Sequence, residues 1–431
     1  MKRRSRLIPW QVWLLIVGWL LAAPVQAALK IDITAGADSG APIAVVPFDG
    51  DLPVDVASIV SADLARSGRF APMPVADMPE RPSTLSDATL SLWRGAEMEY
   101  LVVGRAMPAG SDWRIEFYLV DVGSGDDLIA HAITARDSDL RAAAHRIADL
   151  VFEKVTGIRG AFSTRIAYVT EFRQADGERR YALEVADADG YGPKTVLESA
   201  RPIMSPTWSP DGGQLAYVSF EGGSSGIWVQ DLGSGDRYRL TDFPGINGAP
   251  AWSPDGNRIA VTLSGGGSPN IYVIDLQTRE LEQVTRGGAI DTEAAWMPDG
   301  EALVFTSNRS GQAQIYMQRR GDNRARRLSF DSPYMAGPAV SPDGKYVAGV
   351  VSGFGGFRVG VQNIDTGALR VISDQGHEER PSFSPNGVML VYATRERGRS
   401  VLRISPVTGE GHQTLSFEKG LVRDAAWGPY R

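Results

Sequence analysis

From residue 166 to the C-terminus the chain alternates short apolar runs with polar turns, and the runs return at a fixed interval. One set spans residues 215–220, 259–263, 303–306, 347–351 and 390–394. A second set follows at 227–232, 271–276, 315–318, 359–364 and 401–404, and a third closes several of the units at 238–241, 281–285 and 326–329. Short runs rich in β-branched and aromatic residues between turn residues predict strands. The turn before the first run of each unit is itself a motif, clearest at Ala251-Trp252-Ser253-Pro254-Asp255-Gly256. Its prolines are Pro210, Pro254, Pro298, Pro342, Pro385 and Pro429, spaced 44, 44, 44, 43 and 44 residues apart. Proline pre-sets the backbone for a type I turn, Asp or Asn suits the next position, and Gly accepts the left-handed conformation that restarts a strand. Counting the residues before each Ser-Pro as a strand gives four strands per unit, the content of one propeller blade.

The two ends fix the number of blades. Ile166-Ala167-Tyr168-Val169-Thr170 resembles Leu215-Ala216-Tyr217-Val218-Ser219 but has no such turn before it, whereas Ala426-Trp427-Gly428-Pro429 is an inner strand with nothing after it. The orphan strand supplies what the first blade lacks. Six blades, closed into a ring by the C-terminal strand, are predicted for residues 161–431, and closure removes the sheet edges that invite aggregation.

Between residues 43 and 160 the 44-residue rhythm is absent and helical and strand patterns alternate. Val56, Ile59, Val60 and Leu64 share a helical face that Gly68 ends. Runs at 101–107, 113–121 and 128–134 predict an antiparallel meander. Leu140, Ala144, Ile147, Val151 and Val155 then mark an amphipathic helix, capped near Ser138 or Asp139 and stopped by Gly157. The expected fold class is therefore α+β with two domains: an α/β sandwich over 43–160, then a six-bladed β-propeller.

Ahead of these lies Leu29-Lys30-Ile31-Asp32-Ile33-Thr34, apolar and polar at period two, within a tether assigned to residues 28–42. Such a strand could add itself to a partner's open sheet edge, or pair with its own N-terminal domain. Further upstream, Lys2, Arg3, Arg4 and Arg6 precede an apolar run at 12–23, and Val25-Gln26-Ala27 offers small residues for cleavage. The run is shorter than the roughly 20 apolar residues of a bilayer span, so residues 1–27 read as a secretory signal peptide and the mature chain as lacking a membrane span.

Removing the four positive charges of that leader from a chain of formal charge −7 leaves −11, which argues against nucleic acid as a partner. The chain has no cysteine, so export rather than disulfide content carries the compartment assignment. Candidate chemistry is thin. Gly222-Gly223-Ser224-Ser225-Gly226 matches a nucleophile elbow in letters, but the repeat places it between two strands with no helix after it. Asp187-Ala188-Asp189-Gly190 faintly resembles a calcium loop, with Glu198 at position twelve, yet Tyr191 stands where an oxygen ligand is needed and strands flank it, so a hairpin turn is expected. His131, His145, His377 and His412 show no metal-ligand spacing. Asp211, Asp255, Asp299 and Asp343 recur once per blade, which suits turn hydrogen bonds, and Trp208, Trp252, Trp296 and Trp427 suit packing between blades. No catalytic residue, metal or cofactor is expected.

Several stretches carry a family resemblance: Asp38-Ser39-Gly40 leading into Val45-Val46-Pro47-Phe48, Thr156-Gly157-Ile158-Arg159-Gly160-Ala161-Phe162 before Arg165, and Asn247-Gly248-Ala249-Pro250. With the leader, the repeats and the terminal Ala426-Trp427-Gly428-Pro429-Tyr430, the whole mature chain resembles the TolB family, periplasmic components of the Tol-Pal system. The resemblance implies a non-enzymatic scaffold in the Gram-negative periplasm that supports outer-membrane integrity and constriction at cell division. It implies binding of the lipoprotein Pal at the propeller mouth, through Asn247, Gly248, Ala249, Pro250, Thr292 and Glu293, and of TolA through Leu29, Lys30, Ile31, Asp32, Ile33 and Thr34. Other outer-membrane or peptidoglycan-associated proteins are further expected partners. Ile246 departs from a His common in the family, and Met297 and Val340 depart from the repeat. Two other classes use similar repeats: peptidases of the prolyl oligopeptidase type, which need an additional α/β-hydrolase domain, and propellers that bind small molecules in the channel.

Overall fold

The structure, a computed structural model, describes residues 32–34 and 40–430 apart from positions 266, 354, 375, 416, 418 and 419. The leader and Leu29, Lys30 and Ile31 lie outside the described residues. Strand β1 (Asp32–Thr34) precedes the N-terminal sheet, whose strands are β2 (Ala41–Val45), β3 (Phe70–Pro72), β4 (Tyr100–Ala109), β5 (Asp112–Asp121) and β6 (Asp127–Ala135). Their order is β3-β2-β4-β5-β6. The expected meander is present as β4-β5-β6, while β2 lies parallel to both β3 and β4. Helices α1 (Val56–Arg66) and α3 (Leu140–Thr156) pack together and share one apolar core with this sheet; α2 (Leu90–Gly95) buries Trp93 against the other face. Gly157 closes α3 in the left-handed conformation as expected, but Asp139 makes no side-chain cap. Its carboxylate instead accepts from Arg136 Nε at 3.1 Å and from Ser138 Oγ at 3.0 Å, because a 3-10 turn over Asp137–Asp139 leads into the helix.

Six four-stranded blades follow. Blade one joins the C-terminal strand Leu421–Trp427 to Arg165–Arg173, Arg179–Asp187 and Lys194–Ser199, which is the predicted closure. Blades two to five repeat one plan, with inner strands Ile203–Trp208, Asn247–Trp252, Asp291–Trp296 and Met335–Val340. Blade six runs from Ser382–Phe383 out to His412–Leu415. The repeated turns close as their chemistry requires. Ser209 Oγ donates to Asp211 Oδ1 at 2.5 Å, Gly213 N donates to the same oxygen at 3.0 Å, and Gly212 adopts φ +69°. Ser253 with Asp255 and Ser341 with Asp343 repeat this geometry, and Ser384 donates likewise to Asn386. The Ser253 hydroxyl, together with the Asn257 and Arg258 donors, holds the Asp255 carboxyl down at about 2 against its modest burial.

The outermost strands are shorter than the sequence suggests, for a visible reason. Each ends where a hydroxyl replaces the ladder: Thr241, Thr285, Ser329 and Ser373 accept the backbone N–H of Ile227, Ile271, Ile315 and Val359 at 2.8–3.0 Å. The tryptophans pack each blade on its predecessor, and Trp208 Nε1 and Trp296 Nε1 donate to the Ala426 and Ala251 carbonyls at 3.1 and 3.0 Å.

One expectation for the tether is corrected. β1 does not pair with the N-terminal domain; it adds antiparallel to the outer edge of blade six, with Asp32 opposite Thr414, Ile33 opposite Gln413 and Thr34 opposite His412. Gly68 explains the placement. With φ +67° it turns the chain after α1 so closely onto blade six that a Cβ there would meet Pro406 Cγ at 2.5 Å. Ala41 N, bonded to the Arg69 carbonyl, is thereby held beside that blade.

Candidate functional site

The two faces of the ring differ. Turns between first and second strands, and between third and fourth, lie on the face that carries the N-terminal domain: Asn386 Nδ2 donates to the Arg159 carbonyl at 3.0 Å, and Asp189 reaches α3. The opposite face gathers the loops that enter the inner strands and the loops between second and third strands. On this face Phe243, Ile246, Ile290, Phe330, Phe357 and Leu421 are all exposed, Phe330 by 65%. Large apolar groups gathered around one mouth, away from the domain junction, form the kind of surface that a protein partner covers.

The inner strands beneath this face share a distortion. Five of the registers skip two residues, and the first one skipped, Ser205, Ala249, Glu293 or Asp424 in four of them, has φ between 46° and 56°. Gly337 holds the same slot at φ +64°, packed against the Arg380 side chain. Non-glycine residues are strained in that region, and such bulges persist only where the surroundings hold them. The holding groups come from the preceding blade. Glu293 Oε2 accepts from Gly337 N at 3.1 Å, the Asp424 carboxylate accepts from Ser205 N, the Glu379 carboxylate accepts from Asp424 N, and Thr262 Oγ1 accepts from Glu293 N at 3.4 Å. Burial raises the pKa of both Asp424 and Glu379, more than the nearby Arg423 lowers it.

The residues singled out from sequence fall within this frame. Thr292 and Glu293 are half-buried on the inner strand of blade four, and Thr292 Oγ1 lies 3.3 Å from Thr262 Oγ1, opposite Gly248 in the neighbouring blade. Gly248 and Ala249 are half-buried, while Asn247 and Pro250 are buried. Asn247 therefore acts through its neighbours. Its Oδ1 accepts from Phe243 N at 3.1 Å and its Nδ2 donates to the Phe243 carbonyl at 2.6 Å and the Gly245 carbonyl at 3.3 Å, which fixes the loop presenting Phe243 and Ile246. Asp291, at the equivalent position in blade four, is instead gripped by Arg309 Nη2 at 2.9 and 3.0 Å, from the loop after the second strand. Apart from Ile246, noted only as a departure from a family His, sequence reading missed the exposed apolar residues because each lies outside the repeat motif. Their common signal was position: each sits in or beside a loop on the same face.

Asp187 and Asp189 form a hairpin turn, with Gly190 N donating to the Asp187 carbonyl at 2.8 Å. The Gly-rich stretch after Phe220 is likewise a loop, and Ser225 Oγ accepts from Asn247 N at 3.0 Å. Among the described residues no helix is long and apolar enough to cross a membrane.

Two family models match the chain, a TolB amino-terminal domain over residues 29–128 and a TolB β-propeller domain over 152–431. The Tol-Pal system protein TolB of Xanthomonas campestris pv. campestris is 54% identical over 415 residues, covering 94% of each chain. That of Xanthomonas euvesicatoria pv. vesicatoria is 53% identical over 421 residues, covering 96% of this chain and 95% of the relative. The crystal structure of TolB from Acinetobacter baumannii superposes with a TM-score of 0.87 at 40% identity, over 94% of this chain and all of that one. The two-domain architecture, the closed ring and these likenesses agree, and the chain belongs to the TolB family of the Tol-Pal system.

Proposed function

We propose that this protein is a non-catalytic periplasmic scaffold of the Tol-Pal complex that binds the lipoprotein Pal at the propeller mouth and TolA through its N-terminal segment, in support of outer-membrane integrity and cell constriction. The observation that carries the first half is the ring of exposed Phe243, Ile246, Ile290, Phe330, Phe357 and Leu421 on the face opposite the N-terminal domain. Aromatic and aliphatic anchors around a concave, bulge-lined entrance suit a protein ligand whose side chains reach inward. Asn247, Gly248, Ala249 and Pro250, with Thr292 and Glu293, form the adjoining walls of blades three and four, so a partner seated on the ring meets them next.

Thr292→Arg tests this reading. A guanidinium in place of the half-buried hydroxyl blocks the entrance, and we expect Pal affinity measured by calorimetry to fall at least about tenfold, roughly 1.4 kcal/mol, with the melting transition retained. Unchanged affinity in a folded variant places the Pal site elsewhere.

A further inference from the structure

A charged cluster buried at the junction of the two domains has no part in the mouth. His145 on α3 faces Asp63 of α1 and Asp189 of the first blade, and all three are at most 3% exposed. His145 Nδ1 donates to Asp63 Oδ2 at 2.6 Å, and Nε2 lies 3.7 Å from Asp189 Oδ2 without a hydrogen-bond partner. Arg66 pairs with Asp63, and Arg141 pairs with Asp189 while lying over the Tyr191 ring at 3.8 Å. A carboxylate oxygen of Asp187 lies within 4.8 Å of a His145 ring nitrogen and of an Asp189 carboxylate oxygen.

We propose that His145 is a proton-operated clasp between the N-terminal domain and the first blade, closed when the imidazole carries both protons. The ring geometry carries this. Nδ1 faces a carboxylate at hydrogen-bond distance and must hold a proton there, so a neutral ring would turn its Nε2 lone pair towards a second buried carboxylate. Only the imidazolium offers a donor to both sides. Two further polar groups lie beside the cluster. Asp149, one turn along α3, accepts from Phe162 N and Ser163 N, and Gln413 of blade six accepts from Arg66 Nη1 at 3.0 Å.

The direction of titration follows. Burial pulls the His145 pKa down, but Asp63 and Asp189 outweigh it and leave it raised above 6.5. Burial pushes Asp189 up, but His145, Arg66 and Arg141 bring it below its ordinary value. A raised His pKa contributes stability that is complete below about 6.5 and is lost as pH rises through the folded value. The clasp therefore opens as pH rises through the folded-state value, above 6.5.

Imidazole NMR on the full chain, with His145 assigned by its loss in His145→Gln, gives the titration directly, and hydrogen exchange at Tyr191, whose N–H donates to Asp189 Oδ1, reports the junction. We expect a His145 pKa above 6.5 and a Tyr191 protection factor, corrected for intrinsic exchange, that falls about tenfold between about pH 6 and pH 9 in the native protein and stays level in His145→Gln. An imidazole titrating at or below 6.5, or parallel protection profiles in the two proteins, overturns the clasp. So does zinc raising protection in the native protein but not in the variant, which makes His145 a metal ligand instead. Should His145→Gln fail to fold, the native imidazole pKa, assigned through Asp189→Asn, still decides.

Discussion

Asn247 is fully buried, yet its side chain supports the most exposed part of blade three. Its amide spans the turn from Phe243 to Gly245 with three hydrogen bonds, so removing it leaves the Phe243 N–H and the Phe243 and Gly245 carbonyls without that partner. Asn247→Ala should cost about 1–3 kcal/mol, the penalty of leaving such groups unsatisfied. Denaturant unfolding measures that cost, and exchange at Phe243 and Ile246 should speed up selectively while blades five and six keep their protection. An unchanged midpoint would show that water or a relaxed loop replaces the amide. At this scale the sequence was legible where a residue acts on its own turn, as Asp211 and Asp255 do. It was not legible where the partners are remote. Asp189 looked like one more hairpin residue, and nothing along the chain relates it to His145 or Asp63 except the packing of a blade-one turn against two helices.

Strands were readable because a 44-residue period aligns six copies of the same pattern, and the order within each blade follows from the short turns between them. The N-terminal sheet has no repeat to average over. Its β2 leads through α1 to β3 and pairs in parallel with both β3 and β4, an arrangement that depends on crossovers rather than hairpins. β1 was readable as a strand from its alternation but not as to its neighbour, since any open edge satisfies period two. Blade six provides that edge here, and the TolA surface is the proposed alternative, with Gly36 and Gly40 in the tether that connects the two positions. Ile31→Pro removes a backbone donor next to Asp32. We expect it to weaken TolA binding at least about tenfold while Pal affinity stays within about twofold, because β1 docks on the outer edge of blade six and not at the mouth. A tether of scrambled sequence and equal composition that binds TolA as well as the native one would falsify strand addition, since only charge or bulk hydrophobicity would then matter.

For the molecule as a whole, stability rests on a ring whose ends are joined by one short strand. Leu421–Trp427 pairs along Arg165–Arg173 to complete blade one. It also ties both neighbours: the Ala426 carbonyl accepts from Trp208 Nε1 of blade two at 3.1 Å, and Trp427 N donates to Ser382 Oγ of blade six at 3.0 Å. Trp427 Nε1 donates to Thr164 Oγ1 at 2.8 Å, and the indole joins the apolar core that runs from α1 and α3 into blades one and six. Without this strand blade one is left with an open edge at Arg165–Arg173, and that shared core loses a side chain worth about 3–5 kcal/mol by itself. Deleting residues 422–431 should therefore remove the propeller's melting transition as a unit rather than lower it in steps, with the N-terminal domain losing stability as well because it shares that core. Calorimetry of the truncated chain decides the point, and a native transition surviving the deletion would mean that the blades hold one another without closure.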